Sequence, residues 1–357
     1  MCPTLYASSS TMQIPTRATD PMDTPADHDF MVQAIAAAAG VRHATSPNPW
    51  VGAVVVADGV VVGTGATSPP GGPHAEVHAL ASAGASAQGA TLYATLEPCG
   101  HQGRTGPCTE AILGAGVARV VVGVADPDPD VGGRGLALLR EGGVEVVEGV
   151  AAAEVAEQLA PYLHQRRTGR PYVVLKLAAT LDGRIAAPDG SSAWITGPEA
   201  RVDAHRLRAE SDAVCVGAGT IRLDDPALTV RDWAPPGGGL VGDPRRIVLG
   251  HVAEGAGVQP AESHEGSLED LLDRLGAEGV LQLLVEGGAD VAGRFHRAGL
   301  VDRYVVYLAP ALLGGDDGRP LLAGPGAPTM AELCRGRFAS VVAFGDDLRL
   351  DLVLDGS

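Results

Sequence analysis

Two stretches of alternating apolar patterns divide the chain. In the first, apolar positions recur at helical spacing across residues 27–44, with Phe30, Ile35 and Val41 on one stripe and Asp27 or Asp29 placed to cap it. The pattern breaks at Ser46-Pro47-Asn48-Pro49, and two β-branched runs follow, 51–57 and 60–65, joined by the hairpin dipeptide Asp58-Gly59. Residues 74–83 then read as a helix, 91–95 as a strand, 109–115 as a helix, 119–124 as a strand, 136–141 as a helix and 144–147 as a strand. This alternation predicts a layered α/β domain over 27–149. One helix over 151–167, stopped by Gly169-Arg170-Pro171, predicts a connector at 150–170.

A second alternation predicts a second α/β domain over 171–357, with no internal repeat relating the halves. It runs through strand 172–177, helix 198–210, strand 213–217, a Pro/Gly loop at 234–244, strand 246–249, helix 268–275, strand 281–285, helix 291–298 and strand 303–308. Residues 1–26 are rich in Ser, Thr and Pro and read as a flexible tail, without the charged start and apolar run of a secretory signal.

Composition supports two buried cores, since 45% of the 357 residues are hydrophobic and only 19% charged. A formal charge of -17 with no basic stripe speaks against a nucleic-acid polymer as partner. A small phosphorylated ligand remains compatible, because a few arginines outweigh the global field at short range. Five cysteines do not form a dense disulfide framework, and no apolar run spans a bilayer, so the expectation is a cytoplasmic protein without a membrane partner. A homo-oligomer is left open.

Candidate chemistry concentrates first in Pro73-His74-Ala75-Glu76 and in Pro98-Cys99 with Cys108. One imidazole and two thiolates suit tetrahedral Zn2+, and three protein ligands leave a fourth position for water, the mark of a catalytic site. Glu76, two residues past His74, sits beside the metal without ligating it and is the candidate proton carrier. The bland alternative is a His and two Cys scattered in core or surface. His78, one turn on, is either a partner of the site or an ordinary helix-face residue. An H-x-E motif followed by a P-C segment resembles zinc nucleobase deaminases. The long insert Gly100-His101-Gln102-Gly103-Arg104-Thr105-Gly106-Pro107 before Cys108 resembles the riboflavin-pathway branch of the cytidine deaminase-like superfamily. That resemblance implies a three-layer cytidine deaminase-like domain with substrate contacts at His101, Arg104 and Asn48. It also places Thr67 where the family often carries histidine.

In the second half, Lys176 to Arg184, Ser192-Ala193-Trp194-Ile195-Thr196, Leu207-Arg208-Ala209, Val216-Gly217-Ala218-Gly219-Thr220, Leu223 to Arg231 and Val285-Glu286-Gly287-Gly288 resemble, in that order, the dihydrofolate reductase-like domain of riboflavin-pathway reductases. The glycines alone fit a strand-to-helix phosphate cradle but lack the Rossmann spacing. The resemblance implies an NADPH site at Ala178, Trp194, Thr220, Asp224, Gly288, Ala289, Asp290, Val291, Ala292, Gly293 and Arg294. It implies substrate contacts at Ser192, Arg208, Leu228, Arg231 and Glu286, with Lys176 a weaker candidate. His251 replaces a frequent family serine. The whole then resembles bifunctional riboflavin-biosynthesis enzymes, which deaminate a phosphorylated pyrimidine and reduce its ribosyl chain. Two rivals stay open: a nucleoside or tRNA deaminase with an unrelated second domain, and a non-catalytic binding protein.

Overall fold

The computed structural model describes residues 25–101, 106–128, 131–236, 238–239 and 241–355. The first half is built on strands β1 (Gly52–Ala57), β2 (Val60–Ala66), β3 (Thr91–Leu96), β4 (Arg119–Val124) and β5 (Glu145–Glu148), ordered β2-β1-β3-β4-β5. β1 is antiparallel to both β2 and β3, whereas β3, β4 and β5 run parallel. Around them lie α1 (Pro25–Ala39), α2 (Arg42–Thr45), α3 (Ala75–Ala83), α4 (Cys108–Gly114) and α5 (Arg134–Glu141). α3 lies unusually close to β2 because Gly63 and Gly65 face it. A Cβ on either would stand 2.2 Å from a helix carbonyl, that of Ala79 or Ala75.

Two helical expectations need correction. Residues 27–44 form α1 and α2 rather than one helix, and Asp27 is not a cap. It is buried in the first turn of α1, where its carboxylate accepts from Tyr93 Oη at 2.7 Å and from Arg119 at 2.8 and 3.1 Å. The connector breaks at Leu159 into α6 (Ala152–Gln158) and α7 (Ala160–Thr168). Pro161, in the first turn of α7, has no N–H with which to continue the ladder of α6.

The second half carries β6 (Tyr172–Thr180), β7 (Arg184–Ala186), β8 (Ala213–Gly217), β9 (Arg245–Leu249), β10 (Glu262–His264), β11 (Gln282–Val285), β12 (Arg303–Ala309), β13 (Arg319–Pro320), β14 (Gly336–Phe344) and β15 (Asp347–Leu354). Its helices are α8 (Pro198–Ala209), α9 (Ala218–Asp224), α10 (Leu268–Ala277) and α11 (Ala289–Arg297). Eight strands form one sheet, β10-β9-β8-β11-β6-β12-β15-β14, parallel up to β12 and closed by an antiparallel hairpin, while β7 and β13 pair separately.

The sequence reading misses the β14–β15 hairpin. The buried positions of β15 are Asp347, Arg349 and Asp351, while Leu348 is 44% exposed, so its polarity is inverted relative to an ordinary half-buried strand. Arg349 is satisfied there by Asp351 and Asp203, both at 2.8 Å, and Tyr307 donates to Asp203 at 2.6 Å. The halves also share core: Leu281, just before β11, is buried among the apolar residues of the first domain, whereas Leu283 and Val285 belong to the second. No helix among the described residues is long and apolar enough to cross a membrane.

Candidate active sites of the two halves

The first site assembles at the start of α3, the end of β3 and the start of α4. His74 is the residue preceding α3, Cys99 follows β3 by three positions, and Cys108 opens α4. His74 Nδ1 lies 3.3 Å from Cys108 Sγ and 3.5 Å from Cys99 Sγ, and the two sulfurs are 3.4 Å apart. Bonds of about 2.0–2.3 Å to a tetrahedral metal require such atoms to be about 3.5–3.8 Å apart, so the three fit zinc with shifts of a few tenths of an ångström. Among the described residues this is the single group of three or more His, Cys, Asp or Glu that meets metal-ligand geometry.

Glu76 is 3% exposed on the first turn of α3, and its carboxyl interacts with the Cys108 thiol. Burial pushes this carboxyl up to about 7. Hydrogen bonds from Cys108 and His74 draw the Cys99 thiol down to about 4, while the contact with Cys99, together with burial, pushes Cys108 up. The hydrogen bond with Cys99 also raises His74 above its ordinary value.

A support that the sequence reading missed stands behind this loop. Glu97 is 4% exposed and accepts from the backbone N–H groups of Gly133 (2.9 Å), Gly135 (3.1 Å), Asp126 (3.3 Å) and Leu136 (3.4 Å). It thereby supplies acceptors to the otherwise unpaired donors at the start of α5 and ties them to the Pro98-Cys99 turn. Gly135 allows the approach, since a Cβ there would lie 1.9 Å from Pro98 O.

The other residues expected here divide. Asn48 sits in the turn after α2, with its N–H on Thr45 O at 2.8 Å. His101 is exposed beside Gly100, and Arg104 lies outside the described residues. Thr67 is buried and its hydroxyl accepts from Val51 N–H at 3.0 Å, so it braces the backbone that follows Asn48. His78 bonds to Ser68 Oγ at 2.7 Å and takes no part in the metal cluster.

The second site is a groove of about 260 Å³ at the carboxyl ends of the adjacent parallel strands β8 and β11, where α9 and α11 begin. Of the residues expected to bind cofactor or substrate, Ser192, Thr220, Asp224, Gly288, Ala289, Asp290, Val291 and Glu286 line it. A Cβ on Gly288 would meet only Thr220 Oγ1, at 3.9 Å, so the backbone at the start of α11 is open to an anion. An adjoining cavity of about 210 Å³ shares Ser192 and is lined by Trp194, which is 78% exposed and stacks on Arg201 at 4.7 Å.

Seven residues expected at this site, Ala178, Arg208, Leu228, Arg231, Ala292, Gly293 and Arg294, line neither cavity. Ala178 and Leu228 pack into a core cluster, and Leu228 holds a left-handed φ of 52°. Ala292 and Gly293 are buried on the inner face of α11. Arg294 is exposed on the same helix, and His251 is exposed after Gly250; neither lines the groove. Sequence reading missed Arg319, which lies at the groove on β13 and forms no ion pair among the described residues; its short strand, Arg319–Pro320, carries no apolar pattern.

Arg208 does not present an open guanidinium. It grips Glu286 in a fork, Nε to Oε1 at 2.5 Å and Nη2 to Oε2 at 2.9 Å, and Nη1 donates to Thr229 O at 3.1 Å. Lys176 Nζ stands 4.0 Å from the same carboxylate. Burial pushes the Glu286 carboxyl up, but Arg208 and Lys176 outweigh it and hold it below the ordinary value. Arg231, by contrast, is exposed and forms no ion pair among the described residues.

Comparison with known proteins gives these sites a family. Residues 24–124 match the cytidine and deoxycytidylate deaminase zinc-binding region, and residues 171–350 match the RibD C-terminal domain. The chain is 41% identical to riboflavin biosynthesis protein RibD of Escherichia coli, covering 92% of this chain and 99% of that one. It resembles the solved RibD of Acinetobacter baumannii with a TM-score of 0.85 and 37% identity, over 92% of this chain and 99% of the other. A diaminohydroxyphosphoribosylaminopyrimidine deaminase/5-amino-6-(5-phosphoribosylamino)uracil reductase from Thermotoga maritima gives a TM-score of 0.81 at 33% identity, again over 92% and 99%. With a cytidine deaminase-like domain holding the His74, Cys99 and Cys108 cluster and a reductase domain joined to it, the chain belongs to the RibD family of bifunctional deaminase and reductase enzymes of riboflavin biosynthesis.

Proposed function

We propose that the first half removes the 2-amino group of 2,5-diamino-6-(5-phosphoribosylamino)pyrimidin-4(3H)-one. The second half then reduces the ribosyl chain with NADPH, giving 5-amino-6-(5-phosphoribitylamino)uracil, in the cytoplasm. The observation that carries this reading is a buried carboxylate, Glu76, beside a three-ligand cluster that leaves one coordination position free. Zinc in that cluster supplies a Lewis acid that makes water a nucleophile near neutral pH. Glu76 would take a proton from the attacking water and deliver it to a ring nitrogen as the C–O bond forms; it would then carry the proton of the new C–OH group to the amine, which leaves as ammonia as the C–N bond breaks and the carbonyl forms. Asn48, His101 and Arg104 hold the pyrimidine and its phosphorylated chain.

NADPH supplies hydride to the sugar carbon, and the protein's part is placement. Thr220, Asp224, Trp194 and the segment Gly288 to Arg294 serve the cofactor side, with Ala178, Ala292 and Gly293 acting through packing. Arg319, lining the same groove, would add a cation suited to a cofactor phosphate. Ser192, Leu228, Glu286 and Arg208 shape the substrate side. Arg231 is favoured for the 5'-phosphate because Arg208 already donates three hydrogen bonds, two to Glu286 and one to Thr229 O.

The test is turnover of the diaminopyrimidine by the zinc-loaded chain. Ammonia should appear without NADPH, and NADPH should be oxidised only after deamination or on direct supply of the deaminated ribosyl compound. NADPH oxidation that precedes ammonia release would reverse the order, and no ammonia at all would overturn the deaminase assignment.

A further inference from the structure

The turn that carries Asn48 is bolted to the other domain. Arg42, the first residue of α2, reaches into the second half, where Nη2 donates to Gln282 Oε1 at 2.5 Å and Nη1 stands 3.8 Å from Glu210 Oε2. On its own side the guanidinium lies 4.7 Å from the ring centroid of Trp50, two residues past Asn48. Between them, Thr45 closes α2 and accepts the Asn48 N–H at 2.8 Å. Arg42, Asn48 and Trp50 are therefore one short, internally tied unit.

The partner is held as firmly. Gln282 is 2% exposed and begins β11; its Nε2 donates to Ser211 Oγ at 2.8 Å, and Ser211 Oγ donates to Leu207 O at 2.7 Å. The order of donors leaves Gln282 Oε1 with one role, to accept from Arg42. The chain of bonds thus runs from the carbonyl of Leu207, next to Arg208, through Ser211 and Gln282 to Arg42 and the Asn48 turn. A second contact runs alongside: His43 meets Trp233 edge-on at 5.8 Å, two residues past Arg231. A cleft of about 360 Å³ between the halves is lined by Arg42, Pro47, Trp50, Glu210 and Gln282, so the turn faces the second domain across it beside the Arg42 contact.

We propose that Arg42 is a positioning residue for deamination: through Gln282, the reductase half fixes the turn that presents Asn48 to the pyrimidine. The proposal rests on the reading of Asn48 as a pyrimidine contact. Arg42 touches no reacting atom, so its loss acts on how the substrate is held and not on proton transfer by Glu76.

The experiment uses the full zinc-loaded chain and compares Arg42→Met, Gln282→Leu, the double variant and Asn48→Ala. Arg42→Met and Gln282→Leu should each raise the deaminase KM about fivefold or more, as expected for a lost charge-assisted bond, with kcat and zinc content nearly unchanged. The double variant should match either single variant, because both cut one link. Reductase kinetics on the deaminated ribosyl compound should stay at the wild-type level, which a general loss of structure would not allow. Arg42 has a side chain 23% exposed, and methionine keeps its stem against Trp50, so Arg42→Met carries the test if Gln282→Leu fails to fold. An impaired Asn48→Ala beside unchanged Arg42→Met and Gln282→Leu overturns the coupling alone. An Asn48→Ala chain with normal deamination removes the pyrimidine contact itself, and the coupling falls with it.

Discussion

Replacing Arg208 by alanine separates a phosphate-reading arginine from one that serves a buried ion pair. In the structure its side chain is 14% exposed, that of Glu286 is 8% exposed, and their two bonds are 2.5 and 2.9 Å long. Arg208→Ala leaves the carboxylate with Lys176 at 4.0 Å as its remaining cation partner. Breaking a buried pair from one side costs about 3–5 kcal/mol, and Lys176 compensates in part, so a loss of about 3 kcal/mol is expected. For a domain of this size that lowers Tm by about 6–12 °C. The pH dependence has a definite sign. Glu286 is held below its ordinary value in the folded chain, so the pair's contribution is present above the unfolded carboxyl range and is lost as pH falls through the folded value. The gap between wild type and Arg208→Ala should therefore hold from pH 7 down to about pH 5 and narrow as pH falls below the unfolded carboxyl range, as followed by thermal and urea unfolding at each pH. Discrimination between phosphorylated and dephosphorylated ribosyl substrates should persist in Arg208→Ala and weaken in Arg231→Ala. A stability change within about 0.5 kcal/mol, together with lost discrimination in Arg208→Ala, would refute the ion-pair reasoning.

Three further outcomes are expected. Glu76→Gln should keep zinc and reductase turnover while ammonia release collapses, because the amide preserves shape but carries no proton; loss of both activities together would show that the halves do not work separately. Cys99→Ser should lose most of its metal by elemental analysis, and full retention would remove Cys99 from the ligand set. Gly135→Ala should weaken zinc retention against a chelator about tenfold and destabilise the chain by about 1–3 kcal/mol, since its Cβ would stand 1.9 Å from Pro98 O; wild-type retention would mean that α5 does not brace the metal loop.

The metal site is legible in the sequence because its three ligands and Glu76 sit at element ends that apolar periodicity already marks. What escapes is whatever depends on partners distant in the chain. Arg208 and Glu286 are 78 residues apart, and Arg42 and Gln282 are 240 apart, so neither pairing leaves a local trace. β15 escapes for a different reason: its buried positions are charged, with Arg349 paired to Asp203 and Asp351, and Asp347 accepting from Gly197 N–H, which inverts the polarity that identifies a strand. The break at Leu159 was readable from Pro161, which a single connector helix passes over.

The position of Leu281 has a consequence for how the chain is made. Synthesis delivers every strand of the first sheet before residue 149, yet one of the side chains that seals that domain's core arrives more than a hundred residues later, from the residue that leads into a strand of the second sheet. Until Leu281 is added, the nascent first domain lacks one apolar side chain of its core, and apolar surface left uncovered is what chaperones hold and what aggregates. A gene cut near residue 170 would make that transient state permanent.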